Sequence, residues 1–484
     1  MTVLVDPPRQ LAEPPIPGGR VEALMGRLIK VLAHSPLARP LPAVALSALG
    51  LFGVAFAGLC ATAPNPSQVT LPVLLPLTAA VQHYIGMPVL GDGLEDGLMS
   101  ASIVLSVLGL AMMLWANSRG WSPSPRKVFW TAAGAVAVLV NITPVGSADV
   151  ASYAAYGRIA SLGLNPYVVT PSQLPGGMHN PYTALVSPQW RNTPSVYGPI
   201  ATWTHLLAAE IGGARPWLTI WALMVMTAAA FVAVGYILLR TAANPVRAVL
   251  LWIANPLLIV EFVMGGHLDN YLALAAITAI VVSRRCARRW HDLVVGLLVG
   301  ISGGIQINAA LVALGIAIPL IHDRAWARLA RTAATALVTT AALYFFSWGF
   351  TALKPVWTAS KLVGSPVWRL IPVCARAIDP QSLPTVTTVI GIAWAPLMLA
   401  LAWYLYNRLS PDVPTVLAAT CALTFAWVIV APWSLPWYTS IAWVTLALLP
   451  RNSLTRWLTL ATGTLALLHF NGGWPGITGD GPTP

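Results

Sequence analysis

The run LVVGLLVGISGGIQINAALVALGIAIPLI, residues 293–321, decides how this chain threads a membrane. Apolar residues fill both halves, and Gly303, Gly304, Gln306 and Asn308 interrupt the middle. Arg284, Arg285, Arg288 and Arg289 precede it, and Arg324, Arg328 and Arg331 follow it. Basic residues mark the cytoplasmic ends of spans, so both ends of this run belong on one side. The run is therefore expected to be two short segments that fold back at GGIQIN. Non-helical backbone at membrane depth is tolerated where protein or a wet cavity covers it. One long tilted helix is the competing reading, and it would invert the sidedness of everything after it.

Composition requires the membrane. The 484 residues are 57% hydrophobic and 9% charged, with mean hydropathy +0.72, too much apolar surface for one soluble core. Apolar spans of roughly 17 to 25 residues suffice to cross the hydrocarbon. They are expected near 42–63, 97–117, 128–145, 217–239, 248–265, 269–283, 293–305, 307–321, 327–349, 386–406, 414–431, 436–450 and 455–470. The fold class is thus an all-α polytopic membrane protein with about 11–13 transmembrane helices. The Pro-interrupted stretch 68–86 is expected to be an external or interfacial element.

Placing the N-terminus in the cytoplasm puts most of the 27 Lys and Arg inside. The outer side keeps only Arg158, Arg191, Arg215, Lys354, Lys361, Arg369 and Arg376. The net charge of +12 is therefore topological and calls for no nucleic acid partner. Residues 1–40 form a basic, Pro-rich tail without the short apolar region and cleavage site of a signal peptide, so a disordered cytoplasmic tail is expected. The domain proper spans 41–470, and 471–484 is expected as an outer-side tail. Cys60, Cys286, Cys374 and Cys421 have no metal-like spacing, so neither zinc nor a disulfide framework is expected. Gly300 to Gly304 fits GxSxG but lies in an apolar run with no strand before it, against a nucleophile elbow.

Two substantial loops, 146–216 and 350–385, then face outward, with helices expected inside them. The first opens with Asp149, one of only 15 acids. On a helix, Asp149, Ser152, Tyr153 and Tyr156 share a face, a carboxylate beside aromatic hydroxyls. Arg158, nine residues on, is turned about 180° away. An acid near a helix start also satisfies backbone groups, and this is the structural alternative. The remainder of the loop, through Tyr197, is rich in Pro, Tyr, Trp and Asn, groups that pack on sugar rings and pair with hydroxyls. A second cluster, Glu261, His267, Asp269 and Asn270, lies at an outer boundary, where four polar groups are costly unless they face a cavity. A third is APWSLPWYTS, with Trp433, Trp437 and Tyr438, equally readable as an interfacial aromatic belt. In the 350–385 loop, Lys354, Lys361, Arg369 and Arg376 could hold a phosphate.

The pattern DVxxYxxxGRxxxxGxNPY (Asp149, Val150, Tyr153, Gly157, Arg158, Gly163, Asn165, Pro166, Tyr167), with YGPI at Tyr197–Ile200, GGHLDN and PWSLPWY, resembles the polyprenol-phosphomannose-dependent α(1→6)-mannopyranosyltransferases of mycobacteria and corynebacteria. The resemblance extends from about Asp149 to Tyr438 and departs at His267-Leu268-Asp269-Asn270, and at Gln306 and Asn308, where a basic residue is expected.

The resemblance implies a GT-C type glycosyltransferase. Its donor would be polyprenyl (decaprenyl) phosphate mannose and its acceptor a lipomannan or lipoarabinomannan glycolipid, at the outer face of the plasma membrane among membrane lipids. Inversion at the anomeric carbon would need one base, with Asp149 in that role. Tyr153, Tyr156, Arg158, Tyr197, Glu261, His267, Asp269, Asn270, Trp433, Trp437 and Tyr438 would line the substrate, and Lys354, Lys361 and Arg369 the phosphate. No cofactor or metal is implied. A decaprenyl-phosphopentose (arabinofuranosyl) transferase would share this architecture. A transporter or flippase would instead spread polar residues through the bilayer midplane and show repeated halves, and neither is apparent.

Overall fold

The computed structural model describes residues 40–60, 73–284, 288–355 and 366–469. The two tails, Cys286, Lys361 and the first part of the 68–86 element lie outside the described residues.

Regular structure among the described residues is helical: α1 (Pro40–Cys60), α2 (Pro76–Tyr84), α3 (Asp92–Ser118), α4 (Pro125–Leu139), α5 (Asp149–Ser161), α6 (Pro181–Leu185), α7 (Pro199–Gly212), α8 (Pro216–Thr241), α9 (Pro245–Leu251), α10 (Asp269–Ser283), α11 (Arg289–Gly303), α12 (Ala310–His322), α13 (Trp326–Phe345), α14 (Pro366–Ile378), α15 (Leu383–Arg408), α16 (Thr415–Val430), α17 (Ser440–Leu448) and α18 (Ser453–His469). Proline sets many of the starts. It opens α2, α4, α7, α8 and α9, where its missing N–H is no loss and its φ suits the first turn. Asn244 adds a cap to α9, accepting from the Arg247 amide at 3.0 Å.

By length and composition, five helices among the described residues can cross a membrane, or six if the pair Trp326–Phe345 and Gly349–Pro355, bent by 95°, is one span. Asp269–Ser283, Ile307–His322, Thr415–Val430 and Trp437–Leu448 are apolar but shorter. The chain is an all-α, multi-pass membrane protein.

The span Pro245–Met264 sits at the centre, with nearly every residue buried. Trp252 anchors it, stacking on Phe231 at 5.1 Å and donating Nε1–H to the Phe231 carbonyl at 2.9 Å. Beyond Asn255 the helix loosens into a π-helical turn, Ile259–Met264. A polar side chain on this span faces protein rather than lipid.

Residues 293–321 do not form one helix. α11 ends at Gly303, Ile307–Ala309 is a 3-10 turn, and α12 continues to His322. The packing of α11 on α13 reveals the chain's direction. Thr332 donates to the Asp292 carbonyl at 3.4 Å, Thr340 to Gly300 at 3.3 Å and Tyr344 to Gly303 at 3.4 Å. Numbers rise together on both helices, so α11 and α13 run parallel, and α12 between them must return. The break at GGIQIN is a reversal. At the starting end, buried Asp292 accepts from Arg328 Nε at 3.1 Å and Arg331 Nη2 at 2.7 Å. At the opposite end, Gly198 N–H donates to Ile305 O at 2.9 Å and Ile200 N–H to Gly304 O at 2.7 Å.

Candidate active site

α5 is not a solvent-washed loop helix. Ten of its residues, including Tyr153 and Tyr156, are buried, packed chiefly against α7. Asp149 stands at its first position, and its backbone N–H donates to Ser147 Oγ at 3.1 Å. Its side chain keeps 22% of its surface exposed. Glu261 and Asp269, whose charges act on that of Asp149, are only 2% and 0% exposed. Of the three neighbouring acids, Asp149 is the one a ligand can reach. Burial raises its carboxyl to about 7.

The GGHLDN stretch brings the second cluster to Asp149. Gly266 adopts φ 66°, a conformation that glycine takes without strain, and the chain turns from the π-helical segment into α10. His267 is thereby fully buried, its Nδ1 3.9 Å from Asp149 Oδ2 and 3.4 Å from the Tyr153 hydroxyl. Burial lowers His267 to about 3, so the ring is neutral and its contact with Asp149 is not an ion pair. Asn270 donates to the Phe262 carbonyl at 3.1 Å, tying the start of α10 to the π-helical turn. Such turns recur at functional sites, and this one carries Glu261.

Aromatic rings wall the site. Trp437 stacks on His267 at 4.1 Å and 17°, and Tyr438 lies within electrostatic reach of Asp269 and Asp149. Tyr197 meets Tyr153 edge-on at 5.1 Å, its hydroxyl donating to that of Tyr153 at 3.5 Å. The third motif therefore contributes Trp437 and Tyr438, while Trp433 turns aside to Trp394 at 4.8 Å.

Not every expected residue converges. Tyr156 donates to the Thr193 carbonyl at 3.0 Å, bracing the loop. Arg158 points away from Asp149, as helical periodicity requires, and its guanidinium lies 5.9 Å over the Tyr182 ring. Lys354 is exposed just after the α13 bend. Arg369 and Arg376 ride on α14, and Lys361 lies outside the described residues.

One residue escaped the sequence reading. His205 on α7 stacks parallel on Tyr153 at 5.0 Å and 4° and is 1% exposed, with neither ring nitrogen hydrogen-bonded. Its signal was a single imidazole in the apolar run PIATWTHLLAAEIG. Burial holds it neutral, lowered to about 3. Among the described residues, no three His, Cys, Asp or Glu side chains are grouped to hold a metal ion.

A family model described as alpha-(1->6)-mannopyranosyltransferase, N-terminal domain, matches residues 47–323. Alpha-(1->6)-mannopyranosyltransferase A of Corynebacterium glutamicum is 29% identical over 141 residues, 28% of this chain and 28% of that relative. A Mycolicibacterium smegmatis relative is 34% identical over 137 residues, 27% of this chain and 24% of its own length. Alpha-(1->6)-mannopyranosyltransferase A of Mycobacterium tuberculosis is 25% identical over 402 residues, 71% of this chain and 70% of that protein. The chain thus spans only about a quarter of the length of the first two. No solved structure matches it. The matched segment is more than half of the chain and holds Asp149, the GGHLDN cluster and the reversal at GGIQIN, and the protein belongs to the alpha-(1->6)-mannopyranosyltransferase family.

Proposed function

We propose that this protein is an inverting mannosyltransferase that moves mannose from polyprenyl phosphomannose to an α(1→6)-linked mannan chain of the lipomannan type, at the outer face of the plasma membrane. The observation that carries this reading is the placement of Asp149, a partly accessible carboxylate among buried acids and neutral imidazoles. Asp149 in its ionised form takes the proton from the acceptor hydroxyl as that oxygen attacks the anomeric carbon. The glycosyl–phosphate bond breaks, and the polyprenyl phosphate leaves as an anion without needing an acid. A β-linked donor so attacked gives an α-linkage.

Several features support the remaining roles. Trp437 and Tyr197, both partly exposed, offer ring surface to a pyranose, and buried Tyr153 and His267 back the approach to Asp149. The acids repel an anion, so the phosphate is assigned to cations outside them, with Lys354, Lys361, Arg369 and Arg376 of the 350–385 loop as candidates. Arg158, directed at Tyr182, is assigned to bracing the loop. The domain is taken as 41–470, with tails at 1–40 and 471–484. Outward orientation draws support from the Asp292–Arg328–Arg331 cluster, which stands at the end of α11 and α13 remote from the reversal.

Purified protein should transfer mannose from labelled polyprenyl phosphomannose to an α(1→6)-oligomannoside, and Asp149→Asn should abolish transfer while the protein still folds. Normal turnover in that variant would refute Asp149 as the base, and use of a decaprenyl-phosphopentose donor instead would replace the assigned sugar.

A further inference from the structure

A chain of contacts runs around the space in front of Asp149. Asp149 meets His267, His267 meets Tyr153, and Tyr153 meets Tyr197. The next residue, Gly198, bonds to Ile305 on the reversal, and Gln306 stands beside Asp269, two residues beyond His267. Gly198 has no side chain to keep the reversal away, since a Cβ there would run into the Gly304 carbonyl.

This arrangement leaves buried polar atoms without partners. Oε1 of Gln306, Oδ1 of Asn308 and Oδ1 of Asn270 accept no hydrogen bond, while the Gln306 amide is turned to the Asp269 carboxyl. All three residues are 7% exposed or less. Buried polar groups are almost always paired, and every one of these orphans is an acceptor. What satisfies them must bring donors.

We propose that the reversal at GGIQIN is a hydroxyl-binding subsite, in which Gln306 and Asn308 hold a neutral pyranose unit beside Asp149. This deepens the function proposed above and rests on it. An anion does not suit this position, because Glu261 and Asp269 each face Asp149 as like charges. Sugar hydroxyls donate to the amide oxygens and accept from the amide NH2 groups, and partly exposed Trp437, stacked on His267, covers the less polar ring face. The pyranose is either the donor's mannose or a residue of the acceptor.

The test uses full-length protein in detergent with Gln306→Ala and Asn308→Ala, each checked for folding by gel filtration and melting temperature. Each variant should raise KM about fivefold to tenfold, as expected for one lost hydrogen bond to a buried partner, with kcat nearly unchanged. A rise in donor KM at saturating acceptor identifies the donor's sugar, and a rise in acceptor KM at saturating donor identifies the acceptor's. In parallel, calorimetric titration of the inactive Asp149→Asn protein with an α(1→6)-oligomannoside and with β-methyl mannoside should show binding that Gln306→Ala weakens by a similar factor. Unchanged KM and unchanged binding in whichever variants fold would overturn the subsite. So would magnesium or calcium binding, without sugar, that Gln306→Ala abolishes. If the sugar binds in a Gln306-dependent way but the native protein transfers nothing, the subsite stands and the proposed reaction falls. If transfer proceeds and ignores both Gln306 and Asn308, the reaction stands and the subsite falls.

Discussion

Asp149 Oδ2 lies 3.9 Å from Nδ1 of His267, two side chains more than a hundred residues apart in the chain, one at the start of α5 and the other in the turn before α10. The imidazole is wholly buried and neutral, whereas the carboxylate is partly exposed. A neutral neighbour does not hold the carboxylate ionised, and burial then sets its proton affinity. This asymmetry, with the contacts that maintain it, governs the response to pH and to substitution.

The pH dependence should report Asp149. Its carboxyl is raised by burial to about 7, and a base must be ionised to accept a proton, so kcat/KM should rise with pH through about 7 and level off above it. His267 and His205, lowered to about 3, should add no limb near neutrality. A profile flat from pH 5 to 8 would count against Asp149 as the base.

Stability should move the opposite way. A carboxyl whose folded value lies above its unfolded value binds the proton more tightly when folded, so ionisation costs stability as pH climbs from about 4 to about 7. Asp149→Asn removes that cost. Its melting temperature at pH 8 should equal or exceed that of the native protein, even with transfer abolished, and scanning calorimetry in detergent measures this directly.

Trp437 should be needed for its face rather than its bulk alone. It stacks on His267 at 4.1 Å, and aromatic pairs of this kind contribute about 1 kcal/mol beyond their buried area. Trp437→Ala should lower kcat/KM by roughly tenfold or more, with Trp437→Phe recovering most of it in steady-state assays.

At the remote end, Asp292 is a structural test. Its carboxylate is 3% exposed and held by Arg328 and Arg331, each about a third exposed. Removing one arginine leaves the acid partly neutralised by the other, while removing both leaves a buried charge. Arg331→Ala should cost about 1 kcal/mol and the double variant about 3 kcal/mol, discounted for the solvent around the guanidiniums. Activity per folded molecule should be unchanged.

Gly198→Ala should separate the reversal from the Tyr197 wall. The added methyl meets the Gly304 carbonyl, and relief of that clash must stretch the Gly198–Ile305 and Ile200–Gly304 bonds. A loss of about 1 to 3 kcal/mol and a marked fall in kcat/KM are expected, read by thermal melting and steady-state kinetics.

The sequence by itself determined that the chain is helical and membrane-spanning, because hydropathy and span length answer to local composition. It also marked the reversal within 293–321, because arginines on both flanks constrain sidedness and Gly303, Gly304, Gln306 and Asn308 cannot continue an apolar helix comfortably. Helical periodicity correctly separated Arg158 from Asp149. Tertiary structure alone decided which polar residues meet. Tyr153 points at His267, whereas Tyr156, on the same helical face, braces Thr193. Trp437 reaches the site and Trp433 does not. His205 and Gln306 gain their places from the packing of α7 on α5 and of the reversal on Gly198. Span boundaries are set by each segment's own transfer energy, but an active site is set by long-range contacts that no local pattern encodes.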